Sequence, residues 1–361
     1  MTPNFFPPDY TNRIENGSFS WSAPSNIALV KYWGKRDNQL PANPSVSLML
    51  DHCKTVTRLS FDRRENSGEF LFDLLFDGQP KESFRPKIET FFKRALPYLG
   101  FLHDYHFTLD THNTFPHSSG IASSASSMAA LAVNLMSIER LLYPQMTREY
   151  FLQKASFLAR LGSGSACRSI NGSVVVWGKH ERIPGSSDFF GVEFPGDIHP
   201  NFHEFQDTIL LIDKGEKQVS STLGHDLMHG HPFAERRFAQ AHENLSALVD
   251  IFASGDLDGF ISVTESEALT LHAMMMTSNP YFILMKPATL EVINRIWSFR
   301  RDTGVPVCFT LDAGANVHVL YPKNAASKVL EFIKNELVAY CQNGQYICDG
   351  LGKGANQLTI D

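Results

Sequence analysis

Residues 115–136 read FPHSSGIASSASSMAALAVNLM. The change of texture inside this stretch decides how the rest is read. Through Ser126 almost every residue is small, which lets a backbone approach a ligand closely. From Met128 onward the chain is apolar at helical spacing. The spacing predicts a loop that opens into a helix, so that the leading N–H groups and the positive end of the helix dipole favour a phosphate held by the loop. Ser123 and Ser124 can add hydroxyl donors or ligate Mg²⁺. An N-cap on a tightly packed helix uses Ser and Ala as readily, and for a bare Gly/Ser run that is the commoner use. The stretch is not a Walker loop, because G-x-x-x-x-G-K-[ST] is missing.

Working outward, residues 22–26 read as a turn or strand end and residues 27–30 as a short apolar run. Residues 45–50 and 55–61 alternate polar and apolar side chains, as two half-buried strands do. Residues 69–76 and 105–110 are further strands, and residues 87–99 a helix. Downstream, residues 150–160 form a helix that runs into Gly162-Ser163-Gly164-Ser165, and residues 173–177 a buried strand. Residues 181–205 are Pro/Gly-rich and polar, which places a boundary there. Beyond it come strands at 207–213 and 305–312, with 316–320 as a hairpin mate, and helices at 231–252, 257–276, 289–300 and 325–338. Strands and helices are mixed without regular alternation, which favours α+β over a doubly wound sheet. The organisation expected is an arm (1–19) and two lobes (20–195 and 196–361).

The composition narrows the function classes. The chain has 361 residues, 43% hydrophobic and 19% charged, with net charge −6. Global disorder is excluded, and so is the basic face of a dedicated nucleic-acid binder. The 28 Phe residues read as core packing. Five cysteines at scattered spacing, with no C-x-x-C, suit reduced thiols in a cytosol. No run reaches the ~18 apolar residues of a membrane span, and residues 1–20 lack the pattern of a secretory signal.

Four separated motifs carry the chemistry. The pattern P-x-x-x-G-x-x-S-S-A of residues 116–125 resembles the phosphate loop of the galactokinase, homoserine kinase, mevalonate kinase and phosphomevalonate kinase (GHMP kinase) superfamily. Residues 23–37, APSNIALVKYWGKRD, resemble the N-terminal signature of the diphosphomevalonate decarboxylases. Gly162-Ser163-Gly164-Ser165-Ala166-Cys167-Arg168-Ser169 adds a second small-residue loop with one cation suited to a carboxylate. Thr310-Leu311-Asp312-Ala313-Gly314-Ala315-Asn316 matches the family's D-A-G-x-N block, with Ala315 where Pro is usual. All four occur in the expected order between residues 20 and 350.

The resemblance implies a two-lobed GHMP-kinase-like fold with its active site in a deep cleft between the lobes. It implies ATP-dependent decarboxylation of mevalonate 5-diphosphate to isopentenyl diphosphate, with ATP and Mg²⁺ as cofactors, in a cytoplasmic homodimer without nucleic-acid or membrane partners. Pro116, Ser119, Gly120, Ala122, Ser123, Ser124 and Ser126 would hold the nucleotide, with Ser123 and Ser124 on the metal. Asp312, Lys31, Arg168 and Ser124 would be catalytic. Arg168 would hold the C1 carboxylate, with Tyr32, Lys35, Ser163 and Ser165 around the rest of the substrate. A Lys31 close to Asp312 would keep that carboxylate ionised. A fifth block, residues 220–229, fits less well: His229 stands where bacterial relatives often have an Arg for the terminal phosphate, with Arg236 and Arg237 downstream. That leaves open a monophosphate substrate or another cation reaching in, a kinase that phosphorylates the 3-hydroxyl and stops, and a non-catalytic binding protein.

Overall fold

The computed structural model describes residues 4–65, 68–116, 121–215 and 221–359. Two sheets organise them. The first contains β1 (Asn16–Val30), β2 (Ser45–Arg63), β3 (Leu71–Phe76), β4 (Tyr105–Asn113) and β5 (Val174–Trp177). The second is formed by β6 (Gln206–Leu210), β7 (Cys308–Thr310), β8 (Val317–Tyr321) and β9 (Tyr346–Gly350), in the order β7-β8-β6-β9. The last strand, β10 (Asn356–Leu358), returns to the first sheet, whose main path runs β10-β1-β2-β4-β3. Strand β5 pairs with β2. Only β3 with β4 is parallel among these pairings.

The helices are α1 (Arg85–Ala95), α2 (Ser123–Leu142), α3 (Arg148–Gly162), α4 (Ser221–Asp226), α5 (Ala234–Ser254), α6 (Leu257–Met276), α7 (Pro287–Thr303) and α8 (Ala326–Phe332). The fold is α+β, as the sequence implies. Among the described residues no helix is long and apolar enough to cross a membrane. Helix α2 is buried almost all round, as its Ala-rich, apolar sequence requires. Between α5 and α6 the chain turns on Gly255, at φ +79°, where a Cβ would strike the His199 ring. Asp256 then caps α6 by accepting from the Gly259 N–H at 3.0 Å.

Packing divides into layers. Helices α1, α2 and α3 cover one side of the first sheet around Phe61, Phe72, Phe91, Phe92 and Phe107, which bears out phenylalanine as core filler. A second core is shared by the sheets: Ile27, Leu29, Val46 and Leu48 meet Ile209 and Leu320, with Leu245 and Phe252 of α5 and Phe260 of α6. A third lies between the second sheet and α7 and α8.

Three local expectations change. The two strands read at 45–50 and 55–61 are one, β2. Its first part pairs with β5 and its last part with β4. Where these parts meet, the N–H groups of Asp51, His52 and Cys53 all donate to the Asp349 carboxylate, at 2.8–2.9 Å, so a break in alternation does not end the strand. Residues 22–26, read as a turn or strand end, lie inside β1. Its register slips between Pro24 and Asn26, because Pro24 has no N–H for the ladder. The stretch read as an arm already enters β1 at Asn16, and the segment before it is anchored. Phe5 is buried against Tyr150, Phe157 and Phe190, and the Tyr10 hydroxyl donates to Glu139, which pairs with Lys154 at 2.6 Å. Isolated aromatics without a period hide such docking from a reading of spacing.

A buried ion pair joins α5 and α6 to the end of β1. Arg237 donates to Glu267 at 2.9 and 2.6 Å, and Asn244 donates to the same carboxylate at 2.6 Å. Glu267 accepts the Lys31 N–H at 2.8 Å, while Arg237 also donates to the Lys31 carbonyl at 3.1 Å. Glu267 and Arg237 have no exposed side-chain surface. Glu267→Ala would leave Arg237 charged and uncompensated, so we expect a loss of about 3–5 kcal/mol. Urea denaturation checks this, as a lower midpoint at unchanged slope.

Candidate active site

Lys31 follows directly on β1 and Asp312 follows shortly after β7, so the two come from different sheets. The Lys31 Nζ lies 3.1 Å from Asp312 Oδ1. The lysine side chain is 2% exposed and the aspartate 32%, so the pair faces solvent through its carboxylate. Burial lowers the Lys31 pKa, and the Asp312 charge opposes the shift. Behind Asp312, its carbonyl oxygen accepts from the Gly314 N–H at 2.7 Å and lies 3.1 Å from His272 Nε2.

Arg168 sits in the 3-10 segment Gly164–Ser169 that follows α3 and is buried. Its Nε donates to Asn26 Oδ1 at 3.3 Å and its Nη1 to Ser45 Oγ at 2.6 Å, and its guanidinium lies over the Trp177 ring. These bonds orient the fork without using its Nη2 edge. Burial lowers the Arg168 pKa, and the influences of Cys167 and then Asp312 oppose the shift. The slip in β1 matters here. Across it, Ser25 donates to the Ile121 carbonyl at 2.8 Å and Asn26 donates to Ser169 Oγ at 2.8 Å, so one irregularity supports both small-residue loops.

The two loops meet where Ser124 Oγ and Ser163 Oγ lie 3.4 Å apart, and the Ser165 carbonyl accepts from Asn26. Ala122, at φ 34°, opens α2 in the left-handed region, and no side chain caps the helix. Ser123, Ser124 and Ser127 line a largely apolar pocket of ≈ 280 Å³ with Leu74, Phe76 and Leu131. Pro116 is exposed at the loop's start. Ser119 and Gly120 lie outside the described residues. Ser126 departs from its expected role: it is fully buried and hydrogen-bonded to Thr55 at 2.6 Å, so it packs α2 on the sheet and does not face the loop. Ser127, one residue on, is half-buried and lines the pocket instead.

Tyr32 packs between Trp177 and His225, and its buried hydroxyl has no partner among the described residues. A Cβ on Gly164 would come within 2.9 Å of that hydroxyl, which explains the glycine. Lys35 Nζ is 3.3 Å from Asp226 Oδ1, and His225 Nδ1 accepts the Gly34 N–H at 3.0 Å. So the fifth block reaches the 31–35 stretch through His225 and Asp226; His229 is exposed. Neither downstream arginine offers itself as a replacement cation: Arg237 is locked on Glu267 and Arg236 is paired with Glu243 on the surface. Reading the sequence missed Glu267, Asn26, Ser45, His272 and Asp226. Only Glu267 left a signal, a carboxylate among Thr264, Ala268 and Leu271 on the buried side of α6.

Residues 23–189 match the family model of the diphosphomevalonate decarboxylase-like N-terminal domain, and residues 208–357 that of the mevalonate 5-diphosphate decarboxylase C-terminal domain. The chain is 30% identical to the diphosphomevalonate decarboxylase of Ganoderma lucidum, over 86% of this chain and 80% of that one. It is 30% identical to the enzyme of Saccharomyces cerevisiae, over 87% and 80%. Among solved structures, the mevalonate diphosphate decarboxylase of Staphylococcus aureus superposes with a TM-score of 0.81 at 27% identity, covering 95% of this chain and 98% of that one. A structure described as MDDEF in complex with MVAPP, AMPPCP and magnesium gives 0.80 at 28% identity, covering 96% and 100%.

Two buried histidines make the site's surroundings acid-sensitive. Burial is the first cause in each case and lowers the His225 pKa to about 3 and that of His272 to about 4. Between these values and the ordinary 6.5, the unfolded chain binds protons that the folded chain does not, so stability is full above 6.5 and falls as pH drops below it. Each histidine is expected to contribute up to about 1.4 kcal/mol per pH unit in that window. Urea midpoints at pH 7.5 and 5 check this, and His225→Gln should flatten the acid-side loss.

Proposed function

The chain belongs to the diphosphomevalonate decarboxylase family, and we infer from that membership that it catalyses the ATP-dependent decarboxylation of mevalonate 5-diphosphate to isopentenyl diphosphate, with release of ADP, phosphate and carbon dioxide. The observation that carries the assignment of roles is the 3.1 Å contact between Lys31 and the partly exposed carboxylate of Asp312, with Arg168 in electrostatic reach.

The residues present fit ATP and Mg²⁺. An uncapped start of α2, hydroxyls on Ser123, Ser124 and Ser127, and an apolar pocket beside them suit phosphates and a base. Ser123 and Ser124 would hold the metal and phosphates. Bound there, the nucleotide supplies the phosphoryl group that turns a tertiary hydroxyl into a leaving group. Asp312 accepts the proton of the 3-hydroxyl, with the Lys31 Nζ 3.1 Å from its carboxylate. Arg168, oriented by Asn26 and Ser45, grips the C1 carboxylate with its remaining N–H edge. As the C3–O bond breaks, positive charge grows at C3. The C1–C2 electron pair moves in to form the alkene, and carbon dioxide leaves. The unpartnered Tyr32 hydroxyl, with Ser163 and Ser165, has its use on the substrate's phosphates, and Lys35 exchanges Asp226 for them.

One observation favours a second reading, decarboxylation of mevalonate 5-phosphate: Asp226 places a negative charge beside Lys35, and Arg236 and Arg237 are both taken by glutamates. A cytoplasmic homodimer belongs to the main reading; five free cysteines, four of them buried, suit a reducing compartment, and light scattering tests the dimer.

Asp312→Asn and Arg168→Ala should each lose about 10²–10⁴-fold in kcat while remaining folded. Retention of more than about a tenth of the wild-type rate withdraws the role assigned. Carbon dioxide and ADP release from mevalonate 5-diphosphate and 5-phosphate, assayed side by side, should favour the diphosphate. Preference for the monophosphate would establish the second reading.

A further inference from the structure

Helix α6 reaches both members of the Lys31–Asp312 pair through their backbones. Near its middle, Glu267 accepts the Lys31 N–H at 2.8 Å and is itself held by Arg237 and Asn244. Five residues on, His272 Nε2 lies 3.1 Å from the Asp312 carbonyl oxygen. A carbonyl only accepts, so Nε2 carries the proton. Both side chains are buried. The two partners have little else in common: 281 residues of chain separate Lys31 from Asp312, and they extend from different sheets.

Satisfying a buried carbonyl does not by itself call for His272. The Asp312 oxygen already accepts the Gly314 N–H at 2.7 Å. The Lys31 carbonyl is likewise bonded twice, by Asn43 at 2.9 Å and Arg237 at 3.1 Å. The added bonds fix position. We propose that Glu267 and His272 are positioning residues, and that α6 is a rigid jig setting the separation between the Lys31 ammonium and the Asp312 carboxylate. The catalytic consequence rests on the roles given to Lys31 and Asp312 above. Burial keeps His272 neutral, with its pKa near 4, so the pin stays a single-proton donor at neutral pH.

The test compares wild type, His272→Leu, which fills similar space without a donor, and His272→Gln, which keeps an N–H near the Nε2 position. Two readouts are taken: steady-state kinetics, and titration of the Lys31 Nζ by NMR on lysine-labelled full chain, which does not depend on turnover. In His272→Leu the carboxylate is expected to drift from Lys31, so the ammonium loses its proton at lower pH than in wild type. Its kcat should fall about 10- to 100-fold with substrate KM within about threefold. His272→Gln should restore both to near wild type. An unmoved Lys31 titration in folded His272→Leu overturns the proposal, as does His272→Gln behaving no better than His272→Leu. A moved Lys31 titration with unchanged kcat upholds the jig and removes instead the catalytic role of Lys31 and Asp312.

Discussion

A carboxylate and a guanidinium, both out of reach of solvent, grip the peptide groups on either side of the Lys31 Cα. Glu267 takes the N–H, Arg237 takes the C=O, and the two charges neutralise one another. Removing two ions from water costs several kcal/mol each, so such a pair adds little net stability compared with apolar side chains of the same size. Its effect is directional. With both backbone groups of Lys31 held, β1 must end at one place and the side chain has one way to leave it. Trp33 and Gly34 are then fixed in turn by Asn43 and His225. The 3.1 Å contact between Lys31 and Asp312 is built on this restraint.

The rest of the site follows from how two sheets share a core. Ile27 and Leu29 of β1 pack in the same cluster as Ile209 and Leu320 of the second sheet, so the strand that delivers Lys31 and the β7–β8 hairpin whose connection carries Asp312 cannot shift independently without opening close-packed side chains. The slip in β1 at Pro24–Asn26 adds the second element. A regular strand would alternate Ser25 and Asn26 between faces, whereas the slip lets Ser25 support the loop before α2 and Asn26 support Arg168. The loop before α2 and the segment that carries Arg168 therefore share one foundation of two residues.

Much of this was legible in the sequence where local pattern and chemistry coincide. Helix α6 spans residues 257–276 as its apolar spacing predicts, and α2 opens where small residues give way to apolar ones. Lys31, Arg168 and Asp312 stood out because the blocks around them resemble the motifs of one family in the expected order, whereas each residue alone has a commoner structural use. What stayed hidden depends on partners far along the chain. Ser126 and Ser127 are alike in sequence, and only the helix phase against Thr55 buries one and leaves the other half-buried on the pocket. Asp226 is an unremarkable surface acid until the fold sets it against Lys35. The break between residues 50 and 55 reads as a strand end because the Asp349 carboxylate that supports its N–H groups comes from the opposite end of the chain.

The pairing of β10 with β1 carries a consequence for how the molecule is made. Strand β1 is synthesised well before the strand that covers its edge, with 333 residues between the hydrogen-bonded Ser22 and Asn356. Throughout that interval the edge of β1 presents unsatisfied backbone groups of the kind that recruit other strands. Ser and Pro along Ser18–Pro24 make it a poor template for such recruitment, since Pro24 cannot donate and the polar side chains keep water close. The nascent first sheet is thus kept from sticky encounters during translation by its own composition, until its closing strand arrives.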